Sequence, residues 1–145
     1  GCDVLCGFPG ETAEAFENTR RLVGDLPLSY LHVFPYSRRP GTLAASLGRQ
    51  VTKRLKDERV RVMREMDRRK REQFSRSQLG TVRPVLVERY NDKTGLAKGF
   101  SDNYLQVHVP GSREQAGRII AVRLIRLEGD RLFGEVDQTL LELME

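Results

Sequence analysis

Two cysteines and a glycine-rich turn open the sequence as GCDVLCGFPGET, and both are features that can do chemistry. Cys2 and Cys6 could chelate one metal ion if they lay on a helix, where residues four apart share a face. The apolar run around them predicts a β-strand, in which these two residues lie about 13 Å apart at ~3.3 Å per residue. We therefore expect buried thiols that bind no metal.

The turn from Gly7 to Thr12 does not have the composition of a phosphate-binding loop. That loop needs Gly-Lys-Ser/Thr, whereas Gly10 is followed here by Glu11. A glutamate at a helix start also competes with an anion for the positive end of the helix. The better prediction is a ligand pocket at the carboxyl edge of a parallel strand, where Gly7 and Gly10 allow close approach and Pro9 stiffens the turn.

The segments around this turn predict a strand, a helix and a second strand. CDVLCGF and SYLHVFPY are the apolar strands, and their composition is typical of a parallel sheet buried on both faces. Between them, residues 12–26 predict a helix that begins at Thr12 as N-cap. Its expected inner side consists of Ala15, Phe16, Thr19, Leu22 and Val23. We predict a βαβ unit that belongs to a larger α/β sheet or barrel.

The middle of the chain, residues 52–76, predicts a long and strongly basic helix. It contains eleven basic and five acidic side chains and no Gly or Pro, so it carries the excess behind the net charge of +5. The expected packing stripe is Val51, Leu55, Val62, Met66 and Phe74, interrupted by Arg59 and Lys70. Two interpretations stay open: a solvated connecting helix with ion pairs such as Asp67 with Arg71, or a helix whose RRKR sequence at 68–71 faces phosphates.

Five short β-rich runs follow between residues 81 and 136, separated by turn residues, and they predict a small closed antiparallel barrel. In YLQVHV, alternation directs Leu105, Val107 and Val109 to one face and Tyr104, Gln106 and His108 to the other. Small barrels bind single-stranded nucleic acid by stacking bases on such a strip, although ordinary surface residues would give the same pattern. The predicted fold class is therefore α+β.

Composition excludes several classes of protein. The chain has 145 residues, 39% of them hydrophobic, and this is enough for a packed core. It contains no apolar run of about 18 residues and no leader, so we expect no membrane partner and a cytoplasmic location. Two cysteines at one end make no disulfide framework. Because the chain begins inside an apolar run without Met, we expect a piece of a longer protein.

The motifs resemble a known family. DVLCGFPGETAEAFENT, LHVFPYSRRPGTLAA and GLAKGFSDNYLQVHVPGS followed by GRIIAVRLIRLEGDRLFGEV are similar to the C-terminal part of the radical S-adenosylmethionine methylthiotransferases, through about Val136. The last stretch resembles their TRAM domain. LHVFPYS is closest to the MtaB branch, which acts on threonylcarbamoyl-adenosine beside the tRNA anticodon. MiaB, acting on isopentenyl-adenosine, and RimO, acting on a ribosomal-protein aspartate, are neighbouring branches.

The resemblance implies roles for residues at both ends of the chain. The first two motifs would border the S-adenosylmethionine pocket at Leu5, Gly7, Glu11, Val33, Phe34, Pro35, Tyr36 and Arg39, with Arg39 near a carboxylate of substrate or cofactor. For tRNA we expect Arg68, Arg69, Lys70, Arg71 and Arg76 to contact phosphates, and Tyr104 and His108 to offer a stacking surface. No residue of this chain is expected to be a catalytic residue or a metal ligand.

One family motif is missing. The C-x3-C-x2-C cysteines that hold the reductive [4Fe-4S] cluster do not occur, and neither do those of the auxiliary cluster. The resemblance implies that the parent enzyme uses S-adenosylmethionine and two [4Fe-4S] clusters to methylthiolate a modified adenosine. We expect this chain alone to be inactive and to depend on the missing N-terminal part.

The predicted organisation has four segments: residues 1–50 from the radical S-adenosylmethionine barrel, 51–77 as a basic linking helix, 78–139 as the TRAM-like barrel, and 140–145 as a tail. Three alternatives stay open. The chain could be RimO-like, with a barrel that docks a ribosomal protein, or it could be a non-catalytic RNA-binding module. Exposed strand edges could also pair two copies into a swapped homodimer.

Overall fold

A computed structural model of the protein describes residues 1–137. The predicted tail at 140–145 and the last two residues of the predicted barrel segment lie outside the described residues. The chain divides into two compact units, residues 1–73 and the residues from 74 onward, each with its own hydrophobic core. No helix in the described part of the chain combines the length and the apolar character that a membrane span requires. The four-segment organisation stays a prediction.

The first unit contains the predicted βαβ arrangement. Strand β1 (Cys2–Cys6) pairs in parallel with strand β2 (Leu31–Pro35), in a register that sets Val4 opposite Val33. Helix α1 (Ala13–Asp25) connects them, and a short helix α2 (Leu43–Ser46) follows β2. Because parallel strands need a crossover, the helix must pack on one face of the sheet. Alternate residues of both strands therefore lie under helices, and the residues between them face away.

Helix α1 begins as its sequence predicts. The Thr12 side chain accepts a hydrogen bond from the Ala15 amide at 3.0 Å, which satisfies one of the unpaired amides of the first turn. Val23 is buried and Phe16 packs beside it in the core. The prediction that Ala15, Thr19 and Leu22 lie on the inner side is wrong, since all three are exposed, Leu22 at 60%. The core-facing stripe of α1, formed by Phe16 and Val23, is therefore narrower than the predicted inner side.

Helix α3 (Lys53–Ser77) is the predicted long helix, but its packing face differs from the predicted stripe. Val60 and Met63 are its buried apolar residues, and Met66 packs beside them. Arg59, which was expected to interrupt the stripe, is one of the most buried residues of the helix, at 4% exposure. The face shifts because charged side chains of α3 donate to backbone oxygens of the βαβ unit, so polar positions also belong to the contact.

The second unit is a closed five-stranded barrel. Its strands are β3 (Val82–Asn91), β4 (Leu96–Ser101), β5 (Gln106–Pro110), β6 (Ile119–Glu128) and β7 (Arg131–Val136), with one 3-10 turn at Arg113–Gln115. They are arranged in the order β3-β4-β5-β7-β6, and β6 closes the barrel onto β3. The predicted α+β class and small barrel are confirmed. The expected all-antiparallel pairing is corrected at one place, since β5 and β7 pair in parallel to close the barrel.

The barrel interior is filled by aliphatic side chains from alternate positions of all five strands. Val107 and Val109 lie in this core as predicted, and Leu105 packs half-buried against it. The full set of buried core residues is Val85, Val87, Ala97, Val107, Val109, Ile120, Val122, Leu124 and Leu132. Register shifts between Val87 and Arg89 and between Leu124 and Arg126 bend two of the strands. Such bulges provide the curvature that a barrel this small needs.

Gly99 marks a tight place in the barrel wall. A Cβ there would lie 2.2 Å from the Leu86 carbonyl oxygen, so the strands would have to separate. We predict that Gly99→Ala lowers the free energy of unfolding by about 2 kcal/mol, within the range for overpacked cores. The measurement is urea denaturation followed by circular dichroism. Gly48→Ala is the control, because its Cβ meets nothing within 4 Å; equal stability of both variants would contradict the close approach.

Candidate cofactor-pocket segment and nucleic-acid interface

The glycine-rich turn after β1 is held in place by a buried ion pair. The Glu11 carboxylate accepts hydrogen bonds from the Gly7 amide at 3.1 and 3.2 Å and pairs with the Arg59 guanidinium. Arg59 also donates to the Glu11 carbonyl oxygen at 3.0 Å and lies over the Phe16 ring at 5.3 Å. The predicted pocket residue Glu11 therefore closes the turn onto α3, and its carboxylate oxygens are occupied by protein donors.

Gly7 itself is required by geometry. Its φ of +79° lies in the left-handed region, and a Cβ would lie 2.2 Å from Cγ of Lys56. Lys56 continues over the end of β2, where its ammonium donates to the Tyr36 carbonyl oxygen at 3.1 Å and lies 5.7 Å from the Tyr36 ring. The space that the missing Cβ of Gly7 leaves is therefore taken by this lysine stem, and the predicted approach of a ligand to Gly7 stays a prediction.

The two strands divide the predicted pocket residues between opposite faces. Leu5 and Phe34 are register partners on the face away from the helices, and both are about half exposed. Val33 lies on the other face, buried in the core with Val4. Pro35 ends β2 and is exposed, and Arg39 lies in the exposed loop before α2. Strand alternation therefore brings Leu5 and Phe34 together and separates Val33 from them.

Tyr36 follows β2 and is buried at 8% exposure. Its ring meets that of Phe8 edge-on, with centroids 5.5 Å apart, and its amide donates to the Cys6 carbonyl oxygen at 2.7 Å. The Tyr36 hydroxyl has no hydrogen-bond partner among residues 1–137. A buried unpaired hydroxyl at a strand end, near an apolar face, is chemically compatible with one wall of a nucleoside pocket.

Cys6 has the character of an inert thiol, whereas Cys2, which was also expected to be buried, is only partly buried. Cys6 is buried, and burial, reinforced by the Glu11 carboxylate against the opposing Arg59, raises the pKa of its thiol to about 11. At neutral pH it is therefore protonated and a poor ligand. Iron–sulfur clusters need several thiolates, and residues 1–137 contain no group of three or more His, Cys, Asp or Glu arranged to hold a metal. The described residues do not fit a cluster.

The four residues of the RRKR sequence at 68–71 on α3 form two pairs with different surroundings. Lys70 donates to the carbonyl oxygens of Gly24 and Leu26 at 3.2 and 2.8 Å, which satisfies the end of α1. Arg71 donates to both oxygens of Asp67 at 2.9 Å and lies 4.9 Å over the Tyr30 ring. Both residues therefore contribute to the packing of the first unit.

Arg68 and Arg69 remain largely exposed, at 64% and 74% of their side chains. Both donate to Glu65, at 2.8 and 3.1 Å, and these hydrogen bonds lower the pKa of that carboxyl to about 2. The carboxylate therefore stays charged at neutral pH and offsets part of their charge. Arg76, the fifth predicted phosphate contact, lies in the last turn of α3 and makes interactions of its own.

Tyr104 is presented by a turn and not by a strand. The hairpin between β4 and β5 gives Tyr104 a φ of +64° and leaves it 78% exposed. Ser101 fixes this turn, since its hydroxyl donates to the Asn103 side chain at 2.6 Å and accepts from the Leu105 amide at 3.0 Å. A bulky residue in the left-handed region is strained, and this turn holds Tyr104 there with its ring in solvent.

His108 lies on the outer face of β5, as strand alternation predicts. Its ring is 5.6 Å from that of Phe133, tilted by 37°, and the Arg126 guanidinium lies 4.5 Å over the same phenyl ring. Burial and the positive charges of Lys98 and Arg131 lower the pKa of His108, against a smaller opposing effect of Asp130. Lys98, Arg126, Arg131 and Phe133 are missed by the sequence analysis, because their proximity depends on strand register.

Comparison with known proteins finds relatives whose names all refer to the methylthiolation of tRNA. MtaB of Aquifex aeolicus is 36% identical over 122 residues, 84% of this chain, and MtaB of Bacillus subtilis is 32% identical over 86% of it. The tRNA-2-methylthio-N(6)-dimethylallyladenosine synthase of Haemophilus influenzae strain PittEE is 38% identical over 94%. The chain is a homologue of these tRNA methylthiotransferases. No family model matches it.

The predicted recognition is therefore confirmed: the chain corresponds to a C-terminal part of a methylthiotransferase. It spans about 28% to 29% of the length of the MtaB and synthase relatives that it matches. The MtaB relatives, at 32% and 36%, and the dimethylallyladenosine synthase, at 38%, match at comparable identity, so the choice of the MtaB branch stays a prediction. The assigned pocket and RNA contacts also stay predictions.

Removal of the buried arginine tests the ion pair in the glycine-rich turn. Arg59→Met leaves the Glu11 carboxylate, whose side chain is 14% exposed, without its charged partner. We predict a loss of about 3 kcal/mol in the free energy of unfolding, whereas Glu11→Gln with Arg59→Met recovers most of it. Urea denaturation measures both.

Lys53→Met is the matched control for Arg59→Met, since it breaks an exposed ion pair with Asp57 on the same helix. We expect it to change the free energy of unfolding by less than about 1 kcal/mol. If Arg59→Met is as stable as this control, the ion pair does not hold the turn.

Proposed function

We propose that this chain is the part of a radical S-adenosylmethionine methylthiotransferase that binds tRNA and lines one side of the cofactor pocket. The substrate would be a modified adenosine of tRNA, which the names of its relatives support. Its position next to the anticodon rests on the family resemblance of the motifs. The observation that carries the proposal is the combination of exposed cations on α3 with a strained and exposed tyrosine on a small barrel. Cations supply sequence-independent attraction to phosphates, and aromatic rings supply stacking for unpaired bases.

The cofactor side of the proposal rests on the carboxyl ends of β1 and β2. Leu5 and Phe34 would provide the apolar surface for an adenosyl group, and the Tyr36 hydroxyl a polar contact. Gly7 and Glu11 would act indirectly, because they fix the backbone of the turn. S-adenosylmethionine, with iron–sulfur clusters held outside the described residues, would supply the radical chemistry of the parent enzyme.

The phosphate contacts of the helix can be tested by charge removal. Arg68→Gln with Arg69→Gln removes the two most exposed cations of RRKR and spares Lys70 and Arg71, which pack against the first unit. We predict at least fivefold weaker tRNA binding by the full chain, measured by fluorescence anisotropy. The slope of log affinity against log salt should fall by about 1 to 2.

The matched control for the helix variant is Arg20→Gln with Arg21→Gln, which removes the same charge from exposed positions on α1. We expect tRNA affinity and salt slope to stay within twofold of the original protein. Equal weakening by both double variants would mean that net charge alone attracts tRNA, and the role of α3 would then be lost.

Tyr104→Asn tests stacking without disturbing the turn. Asparagine tolerates the left-handed backbone better than tyrosine, so thermal stability should be unchanged or slightly higher. Loss of one stacked base weakens binding by about 1 to 3 kcal/mol, which predicts roughly tenfold lower affinity for an anticodon stem-loop. Tyr104→Phe should bind normally, because it keeps the ring. Normal binding by the asparagine variant would exclude stacking at this position.

A further inference from the structure

A row of outward side chains crosses the barrel, with one residue from each strand. The strand register pairs these residues consecutively, and we call them the cross-barrel row: Arg89, Lys98, His108, Phe133 and Arg126. Outward neighbours on paired strands lie about 5 Å apart, so the row is a continuous strip. Three of its five members are cations, although the barrel segment as a whole is close to neutral.

Planar groups are stacked at one end of the row. Phe133 is only 9% exposed because the His108 ring and the Arg126 guanidinium lie against it. The phenyl ring thus supports two side chains that would otherwise sample many rotamers. Side chains that are already ordered lose less entropy when a ligand binds, so this end of the row is preorganised.

The charges around His108 favour an anion. Lys98 faces it from β4, and Arg131 lies two residues before Phe133 on β7. Within residues 1–137, neither Lys98 nor Arg131 takes part in an ion pair, whereas Arg126 pairs with Glu128 at 3.2 Å. Asp130 is the acidic group that acts on the imidazole, and its effect is smaller than that of either cation. Two unpaired cations flank one imidazole.

We propose that Lys98, His108 and Arg131 bind a backbone phosphate of single-stranded RNA, and that binding there takes up a proton on His108. The proposal rests on the tRNA-binding function above and names the surface on the barrel that carries it. Arg89, at the end of the cross-barrel row beyond Lys98, would meet a neighbouring phosphate of the same strand. An anionic, single-stranded ligand fits because the cations form a strip along the outer surface of the barrel.

The proton uptake follows from the sign of the surrounding charges. In the free protein, burial and the two cations favour the neutral imidazole. A phosphate adds negative charge at the same place and favours the imidazolium, so the bound protein has the higher His108 pKa. Affinity should therefore rise as the pH falls through the interval between the two values, and it should level off below both.

The experiment uses the full chain and a fluorescein-labelled single-stranded RNA of twelve nucleotides. Anisotropy titrations over a salt series and from pH 5.5 to 8 give the affinity and its pH dependence. We expect Lys98→Gln with Arg131→Gln to weaken binding at least tenfold and to lower the salt slope by about 0.7, which corresponds to one lost phosphate contact on a single strand. His108→Gln should remove most of the pH dependence while the protein still binds.

The matched control is Lys93→Gln with Arg113→Gln, which removes two exposed cations from the same barrel outside the cross-barrel row. Its affinity should stay within twofold of the original protein. Unchanged thermal unfolding of every variant shows that the barrel is intact.

NMR titration of the His108 ring gives a readout that a merely structural role would not move. The pKa of His108 should rise by at least half a unit on saturation with RNA. The inference is overturned if Lys98→Gln with Arg131→Gln leaves the RNA affinity unchanged, or if the pKa of His108 does not rise when RNA binds. If only the helix variants weaken binding, the inference fails alone; if the original protein binds no RNA, the proposed function fails with it.

Discussion

The buried pair of Glu11 and Arg59 is the interaction on which the first unit depends. A guanidinium at 4% exposure is tolerated because it meets two oxygens of Glu11 and the face of Phe16. Desolvation of two charges is costly, and only such complete pairing compensates for it. The pair also ties the turn after β1 to the long helix. This contact therefore joins the glycine-rich turn, just before the start of α1, to the packing face of α3.

Other charged residues of α3 repeat this arrangement along the helix. Lys56 and Lys70 donate to carbonyl oxygens at the ends of β2 and α1, and Asp67 accepts from the Leu31 amide at 2.6 Å. Strand and helix ends leave backbone groups unpaired, and long charged side chains reach them while their stems stay in contact with the core. A count of basic residues therefore overstates the charge available to a polyanion, because part of it belongs to the fold.

Periodicity predicted the elements well and their faces less well. The βαβ unit, the Thr12 cap, the long helix and five strands all follow from local patterns, and they occur where these patterns place them. The packing face of α3 does not follow from a local pattern, because some of its buried side chains bind backbone oxygens elsewhere in the unit. The cross-barrel row depends on register and on two bulges, which arise from pairing between distant residues. Tyr104 was assigned to a strand, yet the hairpin turn determines its direction.

The strand geometry also limits what the predicted pocket can be. A motif read along the chain assigns Val33, Phe34, Pro35 and Tyr36 to one pocket, but successive strand residues point to opposite faces. Phe34 shares its face with Leu5, whereas Val33 faces the helices with Val4. A ligand on the open face can therefore contact Leu5 and Phe34 directly. Val33 can affect its binding only indirectly, through the position of the strand. Conservative changes at Val33 should then act through stability, and changes at Phe34 through ligand affinity.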